Sequence, residues 1–212
     1  MGQILKKPYA SAAGASDDHA LTYEEFLNWD GENQHVEWVD GKVIEMAPIS
    51  DDHQDVGGFL HAILRIYAET HNLGKVRTEP FQMKTGPDLP GRAPDILFVA
   101  TKNLARLKRT YLAGPADVVV EIISPGSQGV DRGEKFYEYE QGGVREYWLL
   151  DPIREQAEFY RIGKRKLYRQ VSVGDDGTFR SEALKGFWIK MAWLWQRPLP
   201  QVTTVLKELG LV

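Results

Sequence analysis

The stretch ADVVVEIIS, residues 116–124, confines the fold of this chain more than any other. Its continuous valines and isoleucines leave no polar face, so the strand it predicts is covered on both sides and sits at the centre of a sheet. The segment VDRGEKFYEYEQGG then has helical character, and REYWLLD repeats the pattern of a buried strand. Strand, helix and strand in that order, with further strands and helices on either side, predict an α/β or α+β fold on a mixed central sheet.

The surrounding sequence carries clear local signals. Thr22 followed by Glu25 is a capping box, so a short helix starts at LTYEEFLNW. Asp40 and Gly41 stand between two alternating runs and predict a hairpin. Phe59, Ile63, Ile66 and Tyr67 recur at helical spacing and predict the first long helix, stopped near Asn72 and Gly74. KVRTEPFQMKT and APDILFVA read as strands, and QAEFYRI with KLYRQVSV as a hairpin. Near the C-terminus, Trp188, Trp193 and Trp195 are expected to cover a sheet face or a subunit contact, ahead of a short helix ending at Gly210. Residues 1–18 are small, polar and aperiodic, which predicts a mobile leader before a single domain at 19–212.

Composition narrows the chemistry. The chain has no cysteine, so disulfides, thiolate metal sites and cysteine nucleophiles are excluded, and with no recognisable signal peptide a cytoplasmic location is expected. No apolar run reaches the roughly 18 to 20 residues of a membrane span, so no membrane partner is expected. A net charge of -4 gives no global attraction to nucleic acid. Local basic clusters exist at Lys102, Arg106, Lys108 and Arg109, and at Arg161, Lys164, Arg165, Lys166 and Arg169. These either grip a phosphate backbone or serve as solvated faces and edge protection.

Glu121 is the anomaly inside the apolar run. An ionised carboxylate among Val118, Val119, Val120, Ile122 and Ile123 is strongly disfavoured unless it meets a cation, a metal ion or several donors. Asp95 raises the same question at the start of the apolar ILFVA strand. If the two strands are neighbours, both acids converge on one face and require shared positive charge, for which Mg²⁺ (or Mn²⁺) is a suitable hard cation. Ile123 follows Glu121 on the same face by alternation, and its backbone carbonyl is a candidate third metal ligand. Asp131 reads as an N-cap with Glu134 as its capping-box acid, which puts Lys135 in the first turn, where the helix dipole opposes a cation. An ammonium there is explained if the two acids lie close to it, and it could orient or deprotonate an attacking water or stabilise charge on a phosphoryl oxygen. The same three residues would equally form a buried ion-pair cluster that fixes strand register, or an acid/base pair working without metal.

The set Pro94-Asp95, Glu121 to Ser124 and the helical Lys135 resembles the PD-(D/E)XK nuclease superfamily. More closely, TYEEFLNW, VEWVDGKVIEMAP, HQDVGGFLHAIL, APDILFV and DVVVEIISPGSQGVDRGEKFYEYEQGGVREYWLLDP look like a large bacterial family of restriction endonuclease-like proteins, once catalogued only as a domain of unknown function. The resemblance covers about residues 21–195. It implies a restriction endonuclease-like fold with an N-terminal hairpin and a C-terminal hairpin extension, and Mg²⁺-dependent endonucleolytic hydrolysis of DNA, with Asp95 and Glu121 on the metal. It departs from the superfamily at Ile123, where the motif lysine usually stands, and Lys135 matches a recurrent lysine of the closer family. Glu37 and His53 match family motifs as a third acid near the metal and a polar residue at the mouth of the first long helix. A homodimer follows by analogy with enzymes that cut both strands. The alternative is an inactive nuclease-fold binding or assembly module whose acids are structural.

Overall fold

The structure, a computed structural model, describes residues 20–31 and 35–211; the expected leader at 1–18 lies outside them. Helix α1 (Tyr23–Leu27) starts as the capping box requires: the Glu25 N–H donates to the Thr22 hydroxyl (3.2 Å) and the Thr22 N–H to the Glu25 carboxylate (2.8 Å). Strands β1 (Val36–Val39) and β2 (Lys42–Glu45) meet at Asp40 and Gly41, whose φ angles of 49° and 80° give the left-handed turn that matches strand twist. Helix α2 (Asp51–Thr70) is capped by the Ser50 hydroxyl, which accepts from the His53 N–H, and it buries Phe59, Leu60 and Ile63.

Eleven further strands follow among the described residues: β3 (Gly74–Thr78), β4 (Gln82–Lys84), β5 (Gly91–Arg92), β6 (Ile96–Ala100), β7 (Tyr111–Ala113), β8 (Val118–Ile122), β9 (Glu146–Asp151), β10 (Gln156–Ile162), β11 (Tyr168–Val171), β12 (Thr178–Arg180) and β13 (Trp188–Lys190). The large sheet has the order β11-β10-β9-β8-β6-β3, with β8 and β9 parallel and its other pairs antiparallel. β8 is buried along its whole length, as its composition predicts. A second sheet, β2-β1-β5-β4-β7, holds the N-terminal hairpin, so KVRTEPFQMKT is divided between two sheets and is not one ladder. Pro80 has no N–H to continue the pairing, so the first of these strands ends before it.

The segment after β8 differs from its expected form. It folds as two short helices, α3 (Gln128–Arg132) and α4 (Glu134–Gly142), broken at Gly133. Asp131 is therefore not an N-cap: it lies inside α3, buried, with its carboxylate toward Lys135. Gly133 serves at the break because a β-carbon there would stand 2.6 Å from the Gly129 carbonyl oxygen. The second basic cluster is also partly structural, since Arg161 pairs with Glu146 and Glu182.

The large sheet separates two apolar layers. Val118, Val120 and Ile122 face α2 and the C-terminal elements α5 (Met191–Trp195) and α6 (Val202–Glu208), where Trp193 is buried and Trp188 and Trp195 pack around it. Val119 and Ile123 face Tyr139 of α4 and Met83 of the second sheet. Glu146, buried in β9, fastens the C-terminal segment by accepting from Arg161 Nε (3.1 Å), the Ser181 hydroxyl (2.7 Å) and the N–H groups of Glu182 (2.7 Å) and Ala183 (3.1 Å). Glu146→Ala leaves those donors unpaired and should cost about 3 kcal/mol or more, read as a lower urea midpoint at unchanged slope.

Candidate active site

The β6–β8 register pairs Ile96 with Val120 and Leu97 with Val119, so one further step sets Asp95 opposite Glu121. Alternation turns Glu121 to the side of Val119 and Ile123, while Asp95, just ahead of β6, lies at the sheet's end within reach of His53 on α2. Glu121 accepts from the Tyr139 hydroxyl (2.8 Å) and lies 3.1 Å from the Lys135 ammonium. The ammonium also meets Asp131 at 3.1 Å and Glu37 at 3.6 Å. Glu37 accepts from Arg92 Nη1 (2.9 Å) and the Ala93 N–H (3.1 Å), and Arg92 clasps Glu138 with two bonds of 2.6 and 2.7 Å. Asp95 stands at the margin of this cluster. Its Oδ2 accepts from the Ile122 N–H at 2.5 Å and lies 3.2 Å from Nε2 of His53.

Asp95, Glu121, Lys135, Glu37 and His53 are thus brought to one end of the large sheet. Ile123 is placed differently from its expected role. Its N–H donates to Leu150 on the β9 side, whereas the N–H of Ile122 faces Asp95. In an extended strand the N–H and C=O of one residue point to the same edge, so the backbone turned toward Asp95 is that of Ile122. Sequence reasoning missed Arg92, Tyr139 and the true position of Asp131. The i, i+4 spacing of Asp131 and Lys135 was a usable signal for the last of these.

The cluster carries more negative than positive charge. Lys135 and Arg92 face the carboxylates of Glu37, Glu121, Asp131 and Glu138, with Asp95 close enough to act on Lys135 electrostatically. Burial pushes the Glu121 carboxyl well above the usual range, and Lys135 opposes this only in part. For Lys135 burial acts downward, but Glu121, Glu37, Asp131 and Asp95 outweigh it and hold the ammonium well above the usual lysine range. Burial lowers the His53 imidazole, but the hydrogen bond and charge of Asp95 together with the charges of Glu79 and Asp131 outweigh it, for a net upward shift.

The donor chemistry suits a hard divalent cation, because the carboxylate oxygens outnumber the cations they face. Among the described residues no three His, Asp or Glu side chains form a ready-made metal cage. Two carboxylates with retained waters are a usual Mg²⁺ arrangement, so the residues fit that ion and not a fully protein-ligated one.

On the α2 side a cavity of about 770 Å³, lined by His53, Gly57, Gly58, Glu79, Asp95 and Ile122 among others, reaches the margin of this cluster at Asp95. Two successive glycines inside a helix cost about 1 kcal/mol each relative to alanine. Packing accounts for Gly57, whose β-carbon would be 3.2 Å from Ile122 Cδ1, but nothing lies within 4 Å of the position a Gly58 β-carbon would take.

A mixed central sheet flanked by helices, with Asp95 and Glu121 opposed on two adjacent strands, is a restriction endonuclease-like architecture. The chain belongs to the Uma2 family, described as "Putative restriction endonuclease", whose pattern it matches over residues 23–192. It is similar in structure to a protein of Anabaena variabilis described as "a putative nuclease belonging to DUF820", at a TM-score of 0.67 and 17% identity, over 82% of this chain and 97% of that one. That likeness concerns the fold. No curated protein matches the chain. Among the described residues no helix is long and apolar enough to cross a membrane.

Lys135→Met should destabilise the fold by about 3 to 5 kcal/mol, because Glu121, Asp131 and Glu37 lose their shared cation. Adding Glu121→Gln should recover part of that loss, and a double-mutant cycle by chemical denaturation measures the coupling.

Proposed function

We propose that the protein is a divalent-metal-dependent endonuclease acting on DNA, working in the cytoplasm. The observation that carries this reading is the placement of Asp95: opposed to Glu121 across β6 and β8, joined to the Lys135 network on one side and lining an open cavity on the other. Asp95 and Glu121 would hold Mg²⁺ or Mn²⁺, with the Ile122 backbone turned toward the same place. When bound, the ion supplies Lewis-acid polarisation of the phosphate and activation of water.

The chain's own residues have separable tasks. His53 and the Ile122 N–H both engage Asp95 Oδ2, fixing the carboxylate at the cavity floor. Lys135 remains an ammonium, which suits it to orient water and stabilise charge on phosphoryl oxygen and argues against a role as the base. Glu37 and Asp131 hold that ammonium in place. Tyr139 orients Glu121 through its hydroxyl. Two copies of the chain acting on opposite strands would account for double-strand cleavage.

A second reading has its own support. Glu121 and Lys135 are each only 2% exposed and already pair with each other, as in a closed structural cluster. On that reading the protein is an inactive binding or assembly module. Asp95→Ala should lower Mn²⁺-dependent plasmid nicking by at least about 100-fold while the circular dichroism spectrum is unchanged. Titration calorimetry separates the readings: the nuclease gives Mn²⁺ binding heat that Asp95→Ala removes, whereas the structural module gives neither heat nor a thermal shift with metal.

A further inference from the structure

The cavity above Asp95 does not end at α2. A second cavity of about 580 Å³ shares His61, Thr78 and Pro80 with it, so the two make one groove. Gly58, His61 and Arg65 fall three and four residues apart along α2 and line one wall. Arg77 and Phe81 stand on the other side of the far half. The groove therefore starts at carboxylates and ends at two guanidinium groups. Among the described residues Arg65 is engaged by Glu69 alone, in a largely exposed i, i+4 pair of the kind that contributes little, so its charge is open to a better partner. Arg77 gives one donor to the Val76 carbonyl, and among the described residues its others stay uncommitted.

Size and chemistry select the occupant. From His53 to Arg65 the helix advances about 18 Å, enough for a short run of nucleotides of one strand. Cavities of about 770 and 580 Å³ hold a few nucleotides of one strand and not a double helix. Phe81, half-buried in the groove, offers a face for base stacking. Gly58 lies along this path with open space where a β-carbon would be, and a bare backbone lets a sugar-phosphate chain approach α2 closely.

We infer that this groove binds a single strand of nucleic acid, with Arg65 and Arg77 on its phosphates and Gly58 as the point of close approach. The assignment of the strand as nucleic acid rests on the nuclease reading above. The test uses the full chain in chelator, so that binding is read without cleavage, and follows the anisotropy of a labelled oligothymidylate of about 15 nucleotides. Arg65→Ala and Arg77→Ala should each reduce the slope of log affinity against log salt by about 0.7. Gly58→Ala should raise Tm by about 2–4 °C, because helix propensity improves, while weakening the oligonucleotide by about tenfold or more.

Unchanged binding by Gly58→Ala, a lower Tm for that variant, or tighter binding of a duplex of equal length overturns the inference. Groove-dependent binding by a protein that never cleaves sinks only the nuclease reading. Metal-dependent cleavage that persists undiminished in Gly58→Ala and Arg77→Ala sinks only the groove.

Discussion

The fold depends on a buried ammonium. Lys135, on α4, sits where burial disfavours its charge, and it remains charged because Glu121 of β8, Asp131 of α3 and Glu37 of β1 surround it. Those residues come from the large sheet, the second sheet and the helix pair, so one electrostatic contact joins all three. Arg92 extends the network from Glu37 to Glu138, again linking β5 to α4. Charge pairing in a low-dielectric interior tolerates little displacement, since moving any one carboxylate away leaves an uncompensated ion behind. The cluster thus fixes how the second sheet docks on the first, a task that apolar packing between Met83, Tyr139 and Ile123 performs less selectively.

The same network grades access. Glu121 and Lys135 are enclosed, while Asp95 is partly exposed and reaches the cavity beside His53. A ligand arriving from the α2 side meets Asp95 and the Ile122 backbone before anything deeper. Asp95 is thus the one carboxylate of the Glu37, Asp95, Glu121 and Asp131 set that lines the cavity, while the other three lie behind it. Burial and the neighbouring carboxylates together favour a proton on Glu121, which Lys135 opposes only in part.

Much of the local structure was legible in the sequence because its causes are local. The Thr22–Glu25 box, the Asp40-Gly41 turn, the apolar stripe of α2 and the twice-buried β8 each need only a few neighbouring residues to specify them. The α3–α4 break was not legible in this way. Asp131 has the composition of a cap, and only the position of Lys135 one turn later, beside Glu121, makes pairing inside the helix more favourable than capping. The second sheet was equally hidden, because β5 and β7 are two and three residues long and carry no period of their own.

For the site, sequence by itself determined that Glu121 and Asp95 need a positive partner, since a carboxylate among aliphatic residues cannot stay ionised alone. It also marked Lys135 by its place in a first helical turn, and Glu37 and His53 through the family resemblance. Which groups answer that need was decided by tertiary structure. Arg92 and Tyr139 reach the cluster, and Ile122 replaces Ile123 as the backbone facing Asp95, only because the strands pair in this register. The groove past Gly58 to Arg65 and Arg77 likewise exists only once α2 is laid against β3 and the turn beyond it. Sequence sets the electrostatic demand residue by residue, and the fold sets which distant side chains stand within the few ångströms over which that demand can be met.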